Sequence, residues 1–285
     1  MSDQKPVPVP LGSLDPNLPP PLPKAPLKVW RERDGAMPDS KPRRYTATIE
    51  EILQPTPDVR LFRLTLDGFS RIMPFIAGQF LQMLFPMPDK DNPGKTKELI
   101  RSYSIASAPE ETNFLEFCIK LVPGGKFTPS LWDMRVGDKI DLRGPHGKFI
   151  VHEPVDYDTV FIAAGTGIAP FWGMIQHLLS AGVKRDILLV FGVRYEDDLL
   201  YDAEFKELAE KHPNFRPVFT LSRPRHPEKW WGDHGYVQGL LPKYIKDPAH
   251  TKAFICGLTP MIEASVTELE KLGVTKDRIH YERYD

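Results

Sequence analysis

"DTVFIAAGTGIAPFWGMIQHLLSAG", residues 158–182, decides the fold. Asp158–Gly165 is a nearly continuous apolar run of strand length, and from Ala169 to Gly182 the apolar residues recur with helical spacing. A strand without polar alternation is buried on both faces, as in a parallel sheet covered by helices. Between strand and helix stands a turn of Gly165, Thr166 and Gly167. Glycines let a backbone approach a ligand, and a helix start offers free N–H groups to an anion. Pro170 suits the first turn of that helix. The stretch lacks a full Gly-x-Gly-x-x-Gly pattern, and a Gly-rich turn here also serves close packing alone.

Working outward, the alternation continues downstream. Asp186–Val193, Phe215–Leu221 and Thr251–Gly257 read as buried strands, with helices at Ala203–His212 and Met261–Gly273 and a last strand in His280–Asp285. This is the pattern of an α/β domain with a parallel sheet. Upstream the texture is all-β. Tyr45–Leu53, Val59–Leu66, Gly78–Pro86, Arg101–Ser107, Phe114–Val122 and Asp138–Pro145 are short strands separated by Gly, Pro, Asn and Asp. They predict a small antiparallel Greek-key barrel, with one short helix at Pro129–Met134. The expected organisation is a Pro-rich extended or disordered segment (1–42), a barrel domain (43–154) and an α/β domain (155–285). The first segment holds 11 of the 30 prolines.

The bulk numbers fit this reading. A chain of 285 residues suits about two domains. A formal net charge of −1 gives no support to nucleic-acid binding. Two cysteines, Cys118 and Cys256, are too few for a disulfide framework or for a [2Fe–2S] cluster, which takes four ligands. No apolar run has the length to cross a bilayer, and the start is unlike a signal or transit peptide. The expected setting is the cytoplasm.

Three further stretches carry chemistry. In "RSYSIAS" (101–107), Arg101 and Tyr103 share one strand face, so a cation and a ring stand together. In "VPGGKFTPSLWD" (122–133), the amides of Gly125, Lys126 and Phe127 and the Thr128 hydroxyl precede a short helix. They can hold a diphosphate there, or simply form a Pro-Gly-Gly turn. The closing "HYERYD" (280–285) sets Glu282 and Tyr284 at the carboxyl edge of the sheet, where Cys256 and Gly257 also end a strand.

In order and content these stretches resemble the ferredoxin–NADP reductase superfamily from Arg44 to the end. "RSYSIAS" looks like its flavin motif Arg-x-Tyr-Ser. Residues 118–149 resemble the stretch that holds the FAD diphosphate, "GTGIAP" the nicotinamide-side turn, and "CGLTPM" the Cys-Gly motif. "GVRYEDDLLYDAEF" (192–205) and "LSRPR" (221–225) resemble members that accept NADPH.

The resemblance implies roles residue by residue. Arg101 would bind an FAD phosphate, with Ser102 beside it, and Tyr103 would lie against the flavin. Ser104 would stand near flavin N5. Cys118, Ile119 and Lys120 would line the FAD, and Gly125, Lys126, Phe127 and Thr128 would hold its diphosphate. Thr166 would sit between flavin and nicotinamide. Gly165, Gly167, Arg194, Ser222, Arg223, Arg225, Tyr236, Gln238, Gly257 and Leu258 would bind NADP, and Cys256 would contact the nicotinamide. Glu282 would take part in proton transfer, and Tyr284 would cover the flavin until nicotinamide displaces it.

The resemblance thus implies a monomeric FAD-dependent oxidoreductase. A hydride would pass between NADP(H) and flavin, and single electrons between flavin and an external ferredoxin or flavodoxin. The alternative within the class is the NADH-dependent reductase component of an oxygenase, which "WWGDHGYV" (230–237) resembles. Outside the class stands a non-catalytic nucleotide-binding module, against which Ser104, Cys256 and Glu282 argue. Two departures from the family pattern are Asp285 after Tyr284 and Pro224 after Ser222-Arg223.

Overall fold

The computed structural model describes residues 41–88 and 94–284. Residues 1–40 of the Pro-rich segment and Asp285 lie outside the described residues. The first sheet holds β1 (Arg43–Thr56), β2 (Val59–Leu66), β3 (Phe80–Pro88), β4 (Thr96–Ser104), β5 (Leu115–Lys120) and β6 (Lys139–His146). Their spatial order is β4-β3-β6-β1-β2-β5 with every pairing antiparallel. The return of β6 between β1 and β3 is the Greek-key crossing that was expected. The short helix α1 spans Thr128–Asp133.

β4 begins and ends earlier than Arg101–Ser107. It pairs with β3 along a long hairpin from Phe80↔Ser104 to Pro88↔Thr96, so the polar Thr96–Glu98 is strand rather than loop. Past Ser104 the chain leaves β3. Ile105 N–H donates to Gln79 C=O at 3.0 Å, then Ala106 N–H donates to Glu116 C=O at 2.8 Å. That last bond reaches β5 and draws the two ends of the sheet together into a barrel.

The second sheet holds β7 (Asp158–Ala164), β8 (Ile187–Val193), β9 (Phe215–Leu221), β10 (Asp233–His234), β11 (Thr251–Gly257) and β12 (Ile279–Arg283). All its pairings are parallel, in the order β10-β9-β8-β7-β11-β12. Every residue of β8 is buried, as its unbroken apolar run requires. Helices α2 (Ala169–Ser180) and α3 (Asp202–Lys211) pack on one face. Helices α4 (Leu241–Tyr244) and α5 (Thr259–Leu272) pack on the other. The two-residue β10 and four-residue α4 are too short for periodicity to reveal. The Gly165-Thr166-Gly167 turn is wound as a 3-10 turn, Gly165–Ile168. No helix among the described residues is long and apolar enough to cross a membrane.

The barrel meets the α2/α3 face of the second sheet. Val59, Leu61, Ala77, Ala106 and Cys118 of the barrel share one apolar cluster with Phe171, Met174 and Phe205. Gly173 makes the approach possible, since a Cβ there would stand 2.8 Å from Ser107 C=O. Polar groups fasten the same seam. Buried Glu116 accepts from Arg63 Nε at 2.7 Å and from the Tyr201 hydroxyl at 2.9 Å. Tyr201 adopts φ 57°, a conformation costly for a bulky side chain. Its ring stacks on Trp172 at 4.8 Å, so packing and the hydroxyl hold it there together.

Candidate active-site cleft

In the second sheet the strand order reverses between β7 and β11, and ligands bind outside the carboxyl ends of strands at such a point. The Gly165–Gly167 turn follows β7, and Gly257 closes β11. A Cβ on Gly167 would lie 2.2 Å from Cys256 C=O, so only glycine lets these two strand ends close up. Beside them opens a cleft of about 1380 Å³ between barrel and sheet. That exceeds the 300–1,000 Å³ usual for one small-molecule site and gives room for two ligands.

At its base three side chains form a relay across the domains. The Tyr284 hydroxyl donates to Ser104 Oγ at 2.6 Å, and the Ser104 hydroxyl donates to Glu282 Oε1 at 3.1 Å. Ser104 closes β4 of the barrel, while Glu282 lies on β12 and Tyr284 just beyond it. Tyr284 is fixed by its own N–H, which donates to Gly257 C=O at 3.0 Å. Burial raises the pKa of Glu282, and the Ser104 hydroxyl partly opposes that rise. Burial, with the charge of Glu282 second, pushes the Cys256 thiol well above its ordinary range.

The barrel wall carries Arg101, Ser102, Tyr103, Ser104, Cys118 and Lys120, with Gly125, Lys126, Phe127 and Thr128 from the β5–α1 loop. The Tyr103 ring lies 5.8 Å from Phe127. Arg101 Nη1 donates to Ile100 C=O at 2.8 Å, and its guanidinium remains exposed. Thr128 is already engaged. Its Oγ1 accepts from Val122 N–H at 2.9 Å and closes the Pro-Gly-Gly turn. The opposite wall carries Gly165, Thr166, Gly167, Arg194, Ser222 and Arg223, then Tyr236, Gln238, Gly257 and Leu258. Gln238 Oε1 is buried and unpartnered, an acceptor waiting for a donor.

Three of the expected residues are not on the wall. Ile119 faces the barrel core, because alternation along β5 sends Cys118 and Lys120 to the cleft and Ile119 away from it. Cys256 is fully buried; β11 turns it inward with Phe254, and Tyr284 packs against the same cluster. Arg225 is drawn off to Asp197, 3.0 Å away, and lies over the Tyr195 ring. Sequence reasoning passed over Asp58 and Asp198, which line the cleft. Asp58 pairs with Lys120 at 2.7 Å, and Asp198 accepts from Tyr195 N–H at 3.1 Å. Both sit in turns that read as ordinary punctuation.

The donor set suits a flavin dinucleotide and a second nucleotide: a ring with hydroxyls at the base, and exposed cations on both walls. Comparison with known proteins gives the same answer. Residues 46–150 match the oxidoreductase FAD-binding domain, and residues 161–267 the oxidoreductase NAD-binding domain. The ferredoxin–NADP reductase B of Sorangium cellulosum (strain So ce56) is 35% identical over 220 residues, 74% of this chain and 86% of that protein. The phenol hydroxylase P5 protein of Acinetobacter pittii (strain PHEA-2) is 33% identical over 242 residues, 84% of this chain. The match spans 65% of that longer protein. The Amycolatopsis cytochrome P450 reductase GcoB superposes with a TM-score of 0.74 at 31% identity, covering 85% of this chain and 70% of that one.

Proposed function

Because the chain belongs to the ferredoxin–NADP reductase family of two-domain flavoprotein reductases, we propose that it relays electrons between NADP(H) and a separate carrier protein, a ferredoxin or flavodoxin. The relay Tyr284–Ser104–Glu282 carries this reading. It sets a hydroxyl and a carboxyl whose pKa burial raises, from two domains, at the base of a two-ligand cleft, where simple binding would need neither. Bound FAD supplies the redox chemistry, exchanging a hydride with nicotinamide and electrons singly with the carrier.

The chain's own residues bind, orient and hold protons. Arg101 and Lys126 offer cations to the FAD phosphates, and Tyr103 offers its ring to the flavin. The Gly125–Phe127 loop, closed by Thr128, shapes the diphosphate seat. Ser104 orients the reacting edge, and Glu282 places its carboxyl beside it for proton transfer. Tyr284 occupies the nicotinamide face and keeps water out until it moves aside. Arg194 and Arg223, with Ser222, favour a dinucleotide that carries an extra phosphate. One observation favours a second reading, an NADH-dependent oxygenase reductase: the similarity to the P5 protein of phenol hydroxylase.

The test is direct. The purified protein is expected to be yellow, to bleach with NADPH in the absence of air, and to pass electrons on to ferredoxin or flavodoxin. A chain that shows no flavin absorbance, and gains none when FAD is added, ends the proposal. NADH serving as well as NADPH, with turnover only on an oxygenase component, favours the second reading. Tyr284→Ala is expected to shift the flavin's visible spectrum and to tighten nicotinamide binding, because the ring competes for one face. An unaltered spectrum means that the ring does not stack on flavin.

A further inference from the structure

The Ser222–His226 turn is zipped onto the segment that follows β8. Ser222 N–H donates to Val193 C=O at 3.0 Å, and Arg223 N–H to Arg194 C=O at 2.9 Å. Pro224 has no N–H to give. Here the backbone pairing stops and one side chain takes over. Glu196 accepts from Arg225 N–H at 3.2 Å through Oε2 and from His226 N–H at 2.9 Å through Oε1. Burial works most strongly against ionisation of Glu196, but the N–H groups of His226, Glu196 itself and Arg225, with the charge of His226, together outweigh it and hold the carboxyl below its usual range. The neighbouring Asp197 takes the Arg225 guanidinium at 3.0 Å, which leaves Arg223 as the turn's arginine on the cleft wall. Neither Arg223 nor Arg194 has an acidic partner among the described residues, so two unneutralised cations flank this corner of the cleft.

We propose that Glu196 is a positioning residue for dinucleotide choice: its carboxylate pins the turn after Pro224 so that Ser222 and Arg223 face the 2′-phosphate of a nicotinamide dinucleotide. Glu196 touches no ligand itself. It acts through the backbone of Arg225 and His226, and it substitutes for the pairing that proline interrupts. This rests on the NADP(H) reading above, which it deepens.

The experiment separates the two. Holoprotein with FAD bound is titrated calorimetrically with adenosine 2′,5′-bisphosphate and with adenosine 5′-monophosphate. These probes differ by the 2′-phosphate alone. Wild type is expected to prefer the bisphosphate at least about tenfold, the scale of one charge-assisted contact. Arg223→Ala should abolish that preference. Glu196→Ala should cut bisphosphate affinity about tenfold and leave monophosphate affinity unchanged, because a misplaced ligand group loses its contact. Glu196→Gln keeps one accepting oxygen and should fall between. If Arg223→Ala removes the preference while both Glu196 variants keep it, the inference is overturned and the NADP(H) reading stands. Equal weakening of both probes by the Glu196 variants marks a merely structural carboxylate and also overturns it. No preference in wild type removes the NADP(H) reading and the inference together.

Discussion

Arg101→Ala is expected to yield a colourless protein whose affinity for FAD is about a hundredfold lower, the upper end of the 1.5–3 kcal/mol that a hydrogen bond to a charged group contributes. Arg101 lies on β4 at the cleft wall with its guanidinium exposed and one donor spent on Ile100 C=O. The other donors of its fork remain for a phosphate, which takes two of them side by side. The fold does not lean on this side chain, since an exposed position contributes within about 0.5 kcal/mol to stability. Melting of the FAD-free protein should therefore match wild type. Arg101→Lys keeps the charge without the fork and should lose less. Fluorescence titration with FAD reads the effect, and affinity within twofold of wild type would sink the assignment of Arg101 to the flavin phosphates.

Glu282→Gln is expected to separate turnover from stability. Turnover should fall at least tenfold, about 1.4 kcal/mol of transition-state stabilisation, because glutamine cannot hold or release the proton. Stability should move the other way. Burial raises the pKa of Glu282 in the folded protein. A carboxyl whose folded pKa is raised contributes stability below its unfolded value, about 4.3, and loses it as pH climbs through the folded value. At neutral pH wild type carries that cost and the glutamine variant does not, while the amide oxygen still accepts from Ser104. The variant should melt higher than wild type at pH 7, with the gap closing on acidification. A lower melting temperature at pH 7, or undiminished turnover, contradicts the assigned proton role.

The sheet of the second domain was legible because burial on both faces leaves an unbroken apolar strand, as in Asp158–Gly165. The barrel was legible from its alternation, apart from where β4 starts and stops. Its polar arm at Thr96–Glu98 is paired by β3 rather than by any pattern of its own. Glu282 and Tyr284 stood out as chemistry at a strand end and Ser104 through the resemblance to the family, and the structure brings the three within hydrogen-bonding reach. Ile119 could have been excluded by counting alternate residues along its strand. Arg225 could not. Its diversion to Asp197, like the grip of Glu196 on the same turn, depends on two loops about thirty residues apart folding against each other. Asp58 and Asp198 were silent for the same reason.

The apolar cluster shared by Val59, Leu61, Ala106 and Cys118 with Phe171 and Phe205 bears on how such a protein can be re-engineered. The two halves look modular along the chain, and a chimera cut near Pro154 invites itself as a route to new carriers or new dinucleotides. The interior has no matching cut. A transplanted α/β half brings its own partners for Ala106 and for the Glu116 carboxylate, and a mismatch at either leaves a void or a lost hydrogen bond to Glu116. Grafts should therefore follow the seam rather than the linker, moving Gly173, Trp172 and Tyr201 as a set with the barrel residues they touch.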